Sequence, residues 1–140
     1  MTNIELPNTV RSARFSVRFA RNREEVLETQ RLRYRIFAQE MGAQIDGGVD
    51  QDRYDPFCRH LLVRDEAQNR LVACTRILTD ERARDAGGFY SEHEFELNLL
   101  DSLPGRVLEV GRTCVDAEYR GGAAIATLWS GLAGYVTQNG

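Results

Sequence analysis

Apolar and polar residues alternate along Phe15-Ser16-Val17-Arg18-Phe19-Ala20-Arg21, which predicts a strand with one buried face. The period then changes. Asn22-Arg23-Glu24-Glu25 has the form of an N-cap followed by Glu at the third helical position. Val26, Leu27, Tyr34, Phe37, Ala38 and Met41 recur at helical spacing, and Gly42 supplies a stop, so one amphipathic helix is expected over 23–41. Residues 42–59 are rich in Gly and Asp and are expected to form a loop. His60–Arg64 and Leu71–Leu78 are short apolar runs joined by a polar turn, which predicts a β-hairpin. Residues 79–88 are charged and end in Gly87-Gly88; a short helix is expected near Leu97–Leu103, stopped by Pro104-Gly105. Arg106–Val115 is a further strand, and Arg120-Gly121-Gly122 opens a second apolar helix from Ala123 to about Val136. Residues 1–14 are expected to be a flexible arm, leaving 15–140 as a single domain.

Composition narrows the class. Apolar residues are 42% and charged residues 28% of the 140 residues, ordinary values for a globular protein. No apolar run is long enough for a membrane span or a signal-peptide core. The net charge of -3 argues against a nucleic-acid partner. All 18 basic residues are Arg, and eight of them fall within residues 1–35 against four acids, so a local charge of +4 faces -7 in the remainder. A basic front of this kind is either a solvated helix face or a docking surface for an acidic partner. Cys58, Cys74 and Cys114 are an odd, widely spaced set with no disulfide or zinc pattern, which suits a reducing cytoplasm.

Three constellations carry candidate chemistry. The strand-to-glycine-to-helix passage at 106–136 puts backbone N–H groups at a helix N-terminus, a ready site for a phosphate or oxyanion. Just upstream, Glu109 and Arg112 would point to opposite faces of a regular strand, and a bulge at Gly111 would bring them to one side. Such a pair is either a structural ion pair or a carboxylate able to take a proton from an ammonium nucleophile. On the first helix, Arg33 and Phe37 share a face, as do Arg31 and Arg35. The acidic loop Asp46, Asp50, Asp52, Asp55 fails as a calcium loop, because Asp55 and Leu61 stand where Gly and Glu are required. Its carboxylates are left to hold a cationic amine or to cap turns. His93-Glu94 lacks the second His of a zinc protease motif, and no metal site is expected.

The order of elements resembles the GNAT acyltransferase superfamily, which implies an α+β sandwich of that fold, here expected to lack its C-terminal strands and helix. The turn of that superfamily, Arg/Gln-x-x-Gly-x-Gly/Ala, is matched by Arg120 in Arg120-Gly121-Gly122-Ala123-Ala124-Ile125, with Ala123 and Ile125 at the two small positions. Arg33 and Phe37, Asp52 and Asp55, Arg76, and Glu109 and Arg112 look like the charged motifs of acyl-homoserine-lactone synthases. Ala43 stands where those enzymes place a Trp in the S-adenosylmethionine pocket. The fuller resemblance, over roughly residues 15–135, is to ornithine N-acyltransferases and related N-acyl amino acid synthases. It is carried by the segments 33–37, 55–63, 87–92, 108–115 and 119–122.

That resemblance implies an acyltransferase of ornithine-lipid or N-acyl amino acid synthesis. A 3-hydroxyacyl chain would arrive as acyl-phosphopantetheine on acyl carrier protein, rather than on coenzyme A, and pass to the α-amine of an amino acid such as ornithine. No permanently bound cofactor or metal is implied. Glu109 and Arg112 would be catalytic. Arg33, Phe37, Asp52, Asp55 and Arg76 would shape the acceptor side. Thr113, Cys114 and Val115 would supply oxyanion amides, with Arg120, Gly121 and Gly122 at the donor arm. A carrier protein presents one phosphate only, so the replaced small residues cost less than they would for a nucleotide donor. The expected setting is cytoplasmic, with peripheral membrane contact through the product, and an open sheet edge would favour association, including a homo-oligomer. A signal synthase, an acetyl-coenzyme A transferase and a catalytically silent truncated binding domain remain as alternatives.

Overall fold

A computed structural model describes residues 10–11, 14–45, 47–90 and 106–139. Its elements are β1 (Val10–Arg11), β2 (Phe15–Phe19), α1 (Arg23–Tyr34) continued by a π-helical turn (Arg35–Glu40), a 3-10 turn (Asp55–Phe57), β3 (Arg59–Asp65), β4 (Arg70–Thr79), α2 (Asp80–Ala86), β5 (Leu108–Val115), a second 3-10 turn (Ala117–Tyr119) and α3 (Ala123–Asn139). The helix expected at 97–103, residue 46 of the acidic loop and most of the N-terminal arm lie outside the described residues.

The strands form one antiparallel sheet in the order β1-β2-β3-β4-β5. Strand alternation, with a bulge at Val72 where the β3–β4 register shifts, sends Val17, Phe19, Leu61, Val63, Val72 and Ile77 to one face, where they pack against Ala124, Leu128 and Tyr135 of α3. Leu62, Leu71, Cys74 and Cys114 face the other way, against Leu32 and Ile36 of the first helix. The sheet is thus sandwiched between helices, which is why β3 and β4 are nearly all buried. Gly131 permits the close approach of α3: a Cβ there would lie 2.6 Å from Val17 Cγ2.

The expected hairpin is present, one residue longer at each end of β4 and extended on β3 by Arg59 and Asp65. Three expectations are refined. Asn22 caps α1 through its side chain, accepting from Glu25 N–H, but the single helix predicted for 23–41 changes winding at Arg35. There Met41 N–H bonds the Ile36 carbonyl and Ala43 N–H the Phe37 carbonyl, so the hydrogen-bond span lengthens around Phe37. The charged stretch after β4 is a helix, α2, because Thr79 caps it by accepting from Arg82 N–H and Gly87 closes it in the left-handed region at φ 88°. Within the arm, Val10 and Arg11 pair with Val17 and Ser16 of β2.

Candidate active site

The site is built where β4 and β5 diverge from regular pairing. Arg76 pairs with Gly111 and Cys74 with Cys114, so Thr75 alone opposes both Arg112 and Thr113. This is the bulge anticipated between positions 109 and 112, but its left-handed residue is Arg112, at φ 51°, and not Gly111. Thr75 holds it: its hydroxyl donates to the Gly111 carbonyl at 3.1 Å and lies 2.8 Å from Thr113 Oγ1. The bulge turns both Glu109 and Arg112 into one cavity of about 140 Å³, together with Val110 and Gly111. Tyr54, Cys58, Arg76, Leu78 and Tyr90 complete its wall.

Arg112 does not pair with Glu109 as expected. Its ion-pair partners among the described residues are Asp50, 3.4 Å from Nε, and Asp52, 3.5 Å from Nη2. The left-handed backbone of Arg112 aims it at the loop, away from the neighbouring strand position. The contacts are long, and both Arg112 Nε and Asp52 Oδ2 are buried without a hydrogen bond. Glu109 instead accepts from Tyr90 N–H at 2.8 Å.

Behind Arg112 lies a buried ionic network. Arg33, only 1% exposed, donates from Nε to Asp50 at 2.9 Å and from both terminal nitrogens to Asp55 at 2.9 and 3.1 Å. Arg76 Nη1 donates to Asp52 at 2.6 Å and to Asp55 at 2.9 Å. Gln30 and the Asp52 backbone N–H also donate to Asp55. Burial opposes the charged form of Asp55, but Arg33 and Arg76 outweigh it and hold the carboxyl at about 2. Asp52 is likewise held below its ordinary value: burial acts against it and the Arg76 hydrogen bond prevails. The acidic loop therefore binds this protein's own arginines. Arg33 and Asp55, expected to shape the acceptor side, lie in the interior, their polar atoms engaged by one another and by Asp50, Arg76 and Gln30.

Two neighbours are chemically quiet. Burial pushes the Cys58 thiol up to about 12, so it is no nucleophile near neutral pH. Burial also lowers His60, whose Nε2 donates to the Asp55 carbonyl at 3.0 Å. Cys58 also lines a second, larger cavity of about 790 Å³ beneath the start of α1, with Gln30, Asp52, Asp55 and His60.

β5 is an edge strand among the described residues. Asp80 N–H bonds the Val107 carbonyl and Asp116 N–H the Val72 carbonyl. Antiparallel alternation then points the backbone of 109, 111 and 114 toward β4, and that of Val110 and Val115 to the open edge. Cys114 is thus corrected as an oxyanion donor: its amide is directed at β4, and its thiol lies 3.5 Å from that of Cys74. Val115 keeps an outward amide, although its carbonyl accepts from Arg120 Nε at 3.1 Å and Nη2 at 3.0 Å. Arg120 also bonds Glu40 at 2.8 Å, so it ties the glycine turn to β5 and to the π-helical turn. In that turn Gly122, at φ 110°, is the residue that requires glycine; Gly121 has no such need.

Phe37 projects from the π-helical turn to within 5.8 Å of the Arg112 guanidinium carbon. The four-residue spacing of Arg33 and Phe37 predicts a shared face, but Arg33 turns inward to the acidic loop whereas Phe37 packs against the Leu32, Ile36 and Leu62 cluster beside Arg112. Asp50, Tyr54, Thr75 and Tyr90 were missed as site residues. Asp50 carried a signal in its spacing from Asp52 and Asp55, and Tyr90 in its place within the segment 87–92.

Residues 32–130 match the family described as acetyltransferase (GNAT) domain. An L-ornithine N(alpha)-acyltransferase of Rhodobacter capsulatus is 38% identical over 132 residues, covering 87% of this chain and 51% of that protein. One from Rhizobium meliloti is 39% identical over 142 residues, covering 93% of this chain and 48% of that protein. The chain spans about half the length of the curated relatives it matches. The crystal structure of the AHL synthase LasI superposes with a TM-score of 0.63 at 18% identity, over 91% of this chain and 68% of that one, a likeness of fold. No described helix is long and apolar enough to cross a membrane.

Proposed function

Since the chain belongs to the GNAT family, we propose that it is an N-acyltransferase moving an acyl chain, 3-hydroxylated in the expected donor, from a phosphopantetheine thioester to the α-amine of an amino acid, ornithine being the acceptor named in its relatives. The observation that carries this reading is the placing of Glu109 and Arg112 in one cavity at the bulge of β5.

Glu109 takes a proton from the substrate ammonium, directly or through a water, leaving a nucleophilic amine. The amine nitrogen attacks the thioester carbonyl carbon and a C–N bond forms. Negative charge develops on the carbonyl oxygen, and the outward amide of Val115 stabilises it, an effect worth about 3–4 kcal/mol per donor in comparable sites. Collapse breaks the C–S bond, and the proton shed by the nitrogen ends on the departing thiol. Arg112, with 30% of its side chain exposed, meets the acceptor carboxylate from the same wall. Arg33, Asp50, Asp52, Asp55 and Arg76 keep that wall rigid.

The donor is a carrier protein. Of the basic residues in the first quarter of the chain, Arg14, Arg18 and Arg33 are engaged by Asp65, Glu25 and the Asp50/Asp55 pair. Arg21, Arg23 and Arg31 remain exposed and form a smaller docking surface than the sequence count suggests.

The deciding experiment is mass spectrometry of lipid extracts from cells expressing the protein or its Glu109→Gln variant. An amide-linked amino-acid lipid is expected with the first and not with the second. Equal lipid from both would remove Glu109 from the base role, and none from either would reject the acyltransferase reading of this chain.

A further inference from the structure

Tyr90 stands at the centre of an alternating stack of rings and guanidiniums along the cleft. The Arg76 guanidinium carbon lies 5.8 Å from the Tyr54 ring and 5.8 Å from the Tyr90 ring. The Arg112 carbon lies 5.8 Å from the Tyr90 ring and 5.8 Å from the Phe37 ring. The sequence of rungs is therefore Tyr54, Arg76, Tyr90, Arg112, Phe37. Two like charges on neighbouring strands would repel across the cavity; an aromatic ring between them attracts both. The Tyr90 ring also meets Tyr54 edge-on, with centroids 5.5 Å apart. At the same time the backbone N–H of Tyr90 donates to Glu109 Oε1 at 2.8 Å.

The approach of this residue is set by the chain before it. Gly87 and Gly88 both have left-handed backbones, at φ 88° and 121°, and turn the chain from α2 back over the cleft. Phe89 then packs with Tyr54, Leu78, Ala83 and Ala86, which anchors the arm one residue short of Tyr90.

We infer that Tyr90 is a positioning residue of the acyl transfer: its amide aims the Glu109 carboxylate while its ring spaces Arg76 from Arg112. The inference rests on the base role of Glu109 given above. It makes Tyr90 a residue that affects turnover through Glu109, without itself touching the reacting atoms.

The test compares Tyr90→Phe and Tyr90→Ala in the native protein and in the Glu109→Gln background, with ornithine and an acyl carrier protein thioester. Both variants keep the backbone N–H; Tyr90→Phe also keeps the ring that holds this N–H in place between Arg76 and Arg112 and is expected within about twofold of native kcat, whereas Tyr90→Ala releases it and lowers kcat by about 10- to 100-fold with KM changed less than about threefold, the cost of a misaimed catalytic group. In the Glu109→Gln background Tyr90→Ala has no further effect. An equal loss in both backgrounds, or native kcat in Tyr90→Ala, overturns the inference. Native turnover of Glu109→Gln alone would instead sink the base role. Independently of turnover, the Tyr90 amide proton is expected downfield and protected from exchange in the native protein and in Tyr90→Phe, and to lose both properties in Glu109→Ala. An amide signal unmoved by Glu109→Ala overturns the inference whatever the kinetics show.

Discussion

Arg33 and Asp55 meet in a fork-to-fork pair inside the molecule, Nη1 to Oδ1 at 2.9 Å and Nη2 to Oδ2 at 3.1 Å, and through Arg76 and Asp52 this pair reaches the cleft wall. Removing one member leaves a buried charge without its partner. Asp55→Asn is expected to cost about 3–5 kcal/mol of stability at neutral pH, read by urea unfolding. The pair also sets an acid limit. The folded carboxyl sits at about 2, below its ordinary value near 4, so the stabilisation is complete above about pH 4 and is lost as pH falls toward 2. The native protein is expected to lose stability across that window. An Asp55→Asn protein as stable as the native one at neutral pH would show the network to be dispensable.

The left-handed backbone of Arg112 separates the cost of the bulge from the use of its side chain. A non-glycine residue there carries strain of about 1 kcal/mol, so Arg112→Gly is expected to melt above Arg112→Ala by a few degrees. Both variants are expected to fall by at least about tenfold in kcat/KM if the guanidinium that faces Asp50 and Asp52 has its proposed role at the acceptor carboxylate. Native kcat/KM in Arg112→Gly would reduce this residue to an element of the bulge.

Gly131 of α3 rests on Val17 of β2 with no room for a side chain. Gly131→Ala is expected to destabilise by about 1–3 kcal/mol despite the better helix propensity of Ala. Trimming the obstacle should help: Gly131→Ala with Val17→Ala is expected to cost less than the sum of the two single changes. Strict additivity in thermal or urea unfolding would place α3 further from the sheet.

Donor choice is expected to show in the salt dependence of turnover. With an acyl carrier protein thioester, kcat/KM should fall several-fold between low and about 0.3 M salt, where the Debye length drops below 10 Å. With acyl-coenzyme A the dependence should be weaker. Arg23→Glu with Arg31→Glu, both exposed, should raise KM for the carrier protein and leave acyl-coenzyme A little changed. Equal, salt-insensitive use of the two donors would reject the docking surface.

Much of the fold follows from local pattern. The alternation at 15–21, the Asn22 cap, the hairpin and the Gly122 turn each announce themselves because period, capping and left-handed backbone are properties of neighbouring residues. The pairing of Glu109 with a bulge was legible for the same reason, and the motif residues Arg33, Asp52, Asp55, Arg76 and Arg112 do come together. Their partners were not legible. Arg33 was expected to meet a ligand and meets Asp50 and Asp55; Arg112 was expected to hold Glu109 and faces Asp50 and Asp52; Tyr90 lies in the motif segment 87–92, with nothing there to mark its contacts. Contacts of that kind join residues about 20 to 60 positions apart. They depend on which face of the sheet the register selects and on how α2 and its two glycines return the chain to the cleft. Periodicity decides which residues are inside and which elements form, because burial and backbone geometry act over a few residues. Which buried charge finds which is decided only when the strands and helices pack, because the desolvation that makes pairing obligatory exists only in the packed state.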